Sequence, residues 1–188
     1  MNYRRYSLGI DPGQSAALAL VEYGLAPGRQ LVGMWSVYGA AKPRADRRAD
    51  ALRDVAEIIG VRRNGTGQII GRACLDVWIE LPAGGGASVN RNGWQLAVGR
   101  DVGQWEARCA VRFGVIARMI KANQWPKICN VRCGKRKKDE GLHRVQEARR
   151  RLENSEALAD GMLGESAAAR ERRIALAEAC LIAFAGSK

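Results

Sequence analysis

Two short apolar runs in this chain each close on a carboxylate, and that arrangement narrows the folds open to it. The first, Tyr6 to Ile10, leads into Asp11-Pro12-Gly13-Gln14; the second, Cys74 to Leu81 (CLDVWIEL), carries Glu80 just before Pro82 and the glycine triplet Gly84 to Gly86. Runs this short, rich in β-branched and aromatic residues and bounded by turn formers, read as buried strands. A carboxylate at the end of a buried strand is costly unless it meets a cation, an arginine or solvent. Taken singly, each signal also fits an Asp-Pro-Gly hairpin turn or a solvated strand end. On adjacent strands they would bring Asp11 and Glu80 together, as a hard, oxygen-seeking divalent cation requires.

The remaining pattern supplies a frame for those strands. Ala16 to Val21 and Leu31 to Val37 extend the first strand into a meander. From Asp46 to Ile59 the apolar positions Ala49, Leu52, Val55, Ala56 and Ile59 recur at helical spacing and stop at Gly60. A second helix is expected from Gly93 to Phe113, a strand from Val115 to Ile120, and a closing helix from Glu165 to Ala185 with Ile174, Leu176, Ala177, Leu181 and Ile182 on its apolar face. Between Gln124 and Leu152 the chain is dense in Lys and Arg, and Gly134 and Gly141 predict that part of it is irregular. The order strand, strand, strand, helix, strand, helix, strand, helix describes an α/β protein, a mixed sheet covered by helices. At 188 residues and with no internal repeat, residues 1–188 are expected to form one domain.

Charge points to the partner. Lys and Arg number 31 against 19 Asp and Glu, a formal net charge of +12, and the isoelectric point is about 10.1. Such a balance favours a polyanion, because each phosphate neutralised by Lys or Arg releases condensed counterions. The competing reading is a basic surface kept for solubility alone. The five cysteines, Cys74, Cys109, Cys129, Cys133 and Cys180, are odd in number and scattered, which predicts reduced thiols rather than a disulfide framework. No apolar stretch approaches the roughly 18 residues of a membrane span. Asp11-Pro12 also interrupts the apolar run that a signal peptide would need after Arg4-Arg5, so the expected location is cytoplasmic, with no membrane partner.

A third carboxylate is available on the closing helix. Glu171 and Glu178 lie seven residues apart, on one face two turns apart. Glu171 stands beside Arg172 and Arg173, as a surface ion-pair face would have it, whereas Glu178 sits within the apolar run Ala175 to Ile182.

With these residues assembled, the chain resembles the RuvC-like Holliday junction resolvases of the RNase H-like superfamily. The likeness rests on Gly9-Ile10-Asp11-Pro12-Gly13, on Trp78-Ile79-Glu80, on the stretch from Asn90 through Leu96, Gly99, Arg100, Gly103 and Gly114 to Trp125 and Lys127, and on Ala177-Glu178-Ala179-Cys180-Leu181-Ile182-Ala183. The resemblance implies an RNase H-like mixed sheet, an antiparallel meander plus parallel strands, flanked by helices. It further implies a homodimeric, structure-selective endonuclease that cuts four-way DNA junctions with two Mg²⁺ ions per active site, Mn²⁺ substituting. By position, Asp11 would bridge both ions, Glu80 would bind one, and Glu178 would complete the site from the helix, with Glu171 as a candidate fourth carboxylate. Two positions depart from the family: Ala175 stands where a second acid or a histidine is common, and Glu178 replaces the usual Asp with a longer arm.

Phosphate contacts are expected from Lys127, Arg132, Lys135, Arg136, Lys137 and Lys138, against the alternative of a solvated basic loop. Cys129, Cys133 and His143 match no common zinc spacing and lack a fourth ligand. The glycine triplet is not followed by Gly-Lys-Ser/Thr, so it is read as a loop beside the cleft rather than a nucleotide loop. Trp94 and Trp105 read as core anchors. The rival functions are a non-catalytic or RNA-directed nucleic-acid-binding protein on the same fold, and an actin-like or sugar-kinase ATPase, for which the chain is short.

Overall fold

The computed structural model describes residues 4–13, 15–24, 28–37, 44–81, 91–131, 137–158 and 166–188. In chain order the elements are β1 (Arg5–Asp11), β2 (Ala17–Tyr23), β3 (Gln30–Ser36), α1 (Arg44–Ile58), β4 (Arg62–Arg63), β5 (Ile69–Gly71), β6 (Cys74–Leu81), α2 (Arg91–Phe113), β7 (Arg118–Lys121), α3 (Trp125–Ile128), α4 (Lys137–Arg151) and α5 (Ala167–Gly186). The five-stranded sheet runs β3-β2-β1-β6-β7. Its first three strands form an antiparallel meander, and β6 and β7 add to it in parallel. This is the RNase H-like α/β architecture expected from the sequence.

Side-chain alternation along the strands divides the interior in two. Tyr6, Leu8 and Ile10 of β1, Leu18 and Leu20 of β2, and Leu75, Val77 and Ile79 of β6 share one face, packed under Leu52 and Val55 of α1 and Val102, Trp105, Cys109 and Phe113 of α2. The opposite face presents Ala17, Ala19 and Val21 of β2 and Ile120 of β7 to Trp125, to Val145 and Ala148 of α4, to Leu152 just after it, and to α5. Helix α5 is buried almost without interruption from Ala175 to Ala185, because the sheet lies on one side of it and α4 on the other. Its alanines let it sit close: a Cβ added at Gly9 would run into the carbonyl oxygen of Ala179 and the backbone of Ala183. Gly9→Ala is therefore expected to cost about 3 kcal/mol through overpacking, read as a fall of roughly 10 °C in the thermal midpoint. An unchanged midpoint would mean that α5 is not seated on β1.

Three elements depart from the sequence expectation. Of the basic stretch from Gln124 to Leu152 expected to be partly irregular, Lys137–Arg151 fold as helix α4 with Gly141 inside it, and Gly134 lies outside the described residues. Gly141 is not a breaker there but a contact, since a Cβ at this position would strike the side chain of Ile174 on α5. Residues 115–117 link α2 to β7 instead of starting the strand, and Gly114 makes the turn before them with φ of 65°. A small ribbon, β4–β5, precedes β6. Its polar tip folds around Asn64, whose Oδ1 accepts from Thr66 Oγ1 at 2.8 Å and from the Gln68 backbone N–H at 2.8 Å. Arg63 then ties the ribbon to the end of α2 by donating to the carbonyls of Val111 (2.5 Å) and Arg112 (3.0 Å). Among the described residues no helix is long and apolar enough to cross a membrane.

Candidate functional site

The site forms at the carboxyl ends of β1 and β6. Their parallel register pairs Ile10 with Ile79, which brings Asp11 level with Glu80 on neighbouring strands about 4.8 Å apart. Both side chains lie on the face that α5 covers. Because α5 meets β1 at Gly9 through Ala179, the residue before that contact, Glu178, is carried over the same strand ends.

The electrostatics reflect two neighbouring carboxylates, Asp11 and Glu80, held largely out of water. Loss of hydration pushes the Asp11 carboxyl well above the usual range, the neighbouring Glu80 raises it further, and Arg144 opposes both. Glu80 is 9% exposed. Its carboxyl is likewise raised by loss of hydration, while the Trp125 indole and the Arg144 charge pull it down. The Trp125 nitrogen meets no acceptor at hydrogen-bonding geometry, so it acts on Glu80 as a nearby N–H dipole. Glu178 forms an ion pair with Arg144 of α4, whose guanidinium also lies 5.7 Å from the centre of the Trp125 ring. Among the described residues, no three His, Cys, Asp or Glu side chains are gathered closely enough to hold a metal ion.

Each residue singled out in the sequence has a definite place or falls outside the described residues. Glu178 is paired with Arg144, and the same charge acts on Asp11 and Glu80. Glu171 is exposed, on the earlier part of α5. Ala175 is buried in the α5 core. Lys127 is exposed on α3, and Lys137 and Lys138 begin α4. The expectations for Arg132, Lys135 and Arg136, and for the loop Gly84 to Gly86, lie outside the described residues, as does Cys133. Cys129 is committed to the core, its thiol donating to the Leu181 carbonyl at 3.3 Å and pushed up to about 11, chiefly by burial. Trp105 is fully buried, as a core anchor should be.

A second network holds the turn that leaves β1, and little in the residue pattern points to it. Asp101 of α2 accepts from the Gly13 backbone N–H at 3.1 Å and pairs with Arg48 of α1. Arg48 is 2% exposed, donates to Gln104 Oε1 at 2.7 Å and stacks 4.8 Å from the Trp105 ring centre. The clamp thus joins both helices of one face to the backbone two residues beyond Asp11. Asp101→Ala is expected to cost about 3 kcal/mol by stranding a buried guanidinium. Much of that loss should return in Arg48→Leu/Asp101→Ala, because no buried charge is then left unpaired. Urea midpoints of the two variants check this, and equal losses would reduce the pair to ordinary packing.

Comparison with solved structures finds this fold in Thermus thermophilus RuvC in complex with a Holliday junction substrate. The match has a TM-score of 0.55 at 17% sequence identity and covers 96% of this chain and 92% of that one. A second Thermus thermophilus RuvC structure matches over the same shares at 16% identity with a TM-score of 0.49. No protein-family model and no curated protein matches the sequence. The chain therefore shares the fold of a RuvC-family resolvase over most of its length, at low identity.

Proposed function

We propose that this protein is a metal-dependent endonuclease that recognises four-way DNA junctions and cuts them by phosphodiester hydrolysis, acting as a homodimer. The observation that carries the reading is that Asp11 and Glu80 stand side by side at the ends of neighbouring parallel strands, with Glu178 of the overlying helix paired to Arg144, whose charge also acts on both. The donor set suits the chemistry: all three are hard oxygen ligands, and one guanidinium leaves them with an excess of negative charge that Mg²⁺ or Mn²⁺ would balance. Two such ions would supply an activated water and a stabilised leaving oxygen for an in-line displacement. Asp11 and Glu80 would hold the ions and so fix where the phosphate is attacked. Glu178 closes the site from above, and the Asp101–Arg48 clamp keeps the Asp11 turn in place. Lys127 and the basic residues leading into α4 hold the flanking phosphates, which supports affinity for any duplex, so preference for a junction comes from its shape. Two copies related by a two-fold axis place paired incisions on opposing strands.

Incubation with a synthetic four-way junction and a matched linear duplex, with and without Mg²⁺, tests this. The expected result is paired cuts in the junction alone, and only with the metal. Equal cutting of the linear duplex would remove the structure selectivity. The seat of Arg144 among the carboxylates favours one other reading, a non-catalytic nucleic-acid-binding protein of this fold, directed to DNA or RNA. Binding of the junction with no cleavage in either Mg²⁺ or Mn²⁺ would decide for it.

A further inference from the structure

We propose that Arg144 is a resident counter-cation of the carboxylate site, which holds Glu178 until an incoming divalent ion displaces it. The inference rests on the reading that the site takes such an ion, and it concerns how the ion gains entry. Arg144 comes from α4, not from any element that carries a carboxylate of the site. The crossing of α4 over α5 is fixed where Gly141 fits against Ile174, one helical turn before Arg144. From there the guanidinium pairs with Glu178, lies against the Trp125 ring, and its charge acts on both Asp11 and Glu80. One positive charge thus holds Glu178 in contact while its field reaches Asp11 and Glu80 on two other elements. A guanidinium and a divalent ion satisfy the same oxygens, so they compete for them. Without Arg144, Glu178 would be left unpaired and the repulsion between the buried Asp11 and Glu80 unopposed, which destabilises the metal-free fold.

The device differs from an ordinary structural ion pair in its consequence. A structural pair contributes to stability and leaves metal affinity alone. A competing cation lowers affinity and makes the metal and the arginine interchangeable as stabilisers. It also sets the ion concentration at which the third ligand turns inward, so that cleavage competence follows loading rather than folding.

Mn²⁺ binding to the full-length protein without DNA, measured by electron paramagnetic resonance, together with the thermal midpoint with and without Mn²⁺, tests the proposal. Arg144→Gln is expected to bind Mn²⁺ about tenfold more tightly than the wild type, because a unit charge is removed a few ångströms from the oxygens. Its midpoint should fall in the absence of metal and return to the wild-type value when Mn²⁺ is added. Arg144→Lys, which keeps the charge but loses the planar fork, should gain about threefold in affinity, and it decides the matter if Arg144→Gln does not fold. Unchanged or weaker Mn²⁺ binding in the folded variants would overturn the proposal, as would a midpoint that the metal does not restore. Failure of the nuclease reading is separately visible: tighter Mn²⁺ binding by the variants with no junction cleavage by the wild type sinks that reading and leaves this one standing. Absence of Mn²⁺ binding by wild type and variants alike overturns both.

Discussion

Asp11→Asn is expected to abolish junction cleavage, a loss of at least about a thousandfold or roughly 4 kcal/mol of barrier, while junction binding is kept or tightened. The amide cannot bridge two cations as the carboxylate can, and its neutrality removes one repulsive charge from the path of the phosphates. The same substitution should raise the thermal midpoint of the metal-free protein by a few degrees. Burial and Glu80 hold the Asp11 carboxyl well above its ordinary range, so in the folded state it keeps its proton to higher pH than in the unfolded chain. Its contribution to stability accordingly falls as pH rises from the unfolded value through the folded one, and the ionised form at neutral pH is a cost. Gel assays of cleavage and of binding, beside a melting curve, give three readings of one variant. Cleavage within about threefold of wild type, well under 1 kcal/mol, would remove Asp11 from the site.

Glu178→Gln should cost several orders of magnitude in rate, and Glu171→Gln little. Glu178 keeps 14% of its side-chain surface and is paired with Arg144 over the strand ends, whereas Glu171 is exposed. At 1.5 Å rise per residue the two stand roughly 10 Å apart along α5, too far to ligate one ion together. Single-turnover cleavage rates on the same junction separate them. The reverse order would show that the closing helix meets the substrate through its other end.

How far the sequence could be read follows from which interactions are local. Strand β6 was legible to its ends, Cys74–Leu81, because an apolar run flanked by glycine and proline leaves few alternatives. Asp11 and Glu80 were legible as a pair, since strand alternation and the parallel register put both on one face. Glu178 stood out as the acid inside an apolar run, though its placement over β1 depends on Gly9, which the sequence marks only as part of a turn motif. Helix α4 was masked by its charge: its apolar positions are few, Leu142, Val145 and Ala148 with Leu152 just after its end, Gly141 precedes them, and a glycine counts against a helix when its neighbours are unknown. Arg144 was illegible for a related reason. Four arginines share that helix, and only the packing against α5 decides that Arg144 meets Glu178 while Arg151 lies against Phe184. The Asp101–Arg48 pair joins residues 53 apart in sequence, and no local pattern announces such a contact.

The division of the interior by the sheet has a consequence for descent. Among the described residues the three candidate carboxylates, and the arginine paired with Glu178, lie on the side of α5, while the side of α1 and α2 reaches the turn after Asp11 through the Gly13 clamp. Substitutions on opposite sides of a sheet share few partners and are close to additive, so the two halves can drift at different rates. A lineage could replace most of the α1–α2 layer, provided that Asp101 and Arg48 or an equivalent brace survived, without disturbing a single ligand. Kinship among such proteins would then be written in alternate positions of β1 and β6 and in one alanine-rich helix, a record too sparse for overall identity to preserve.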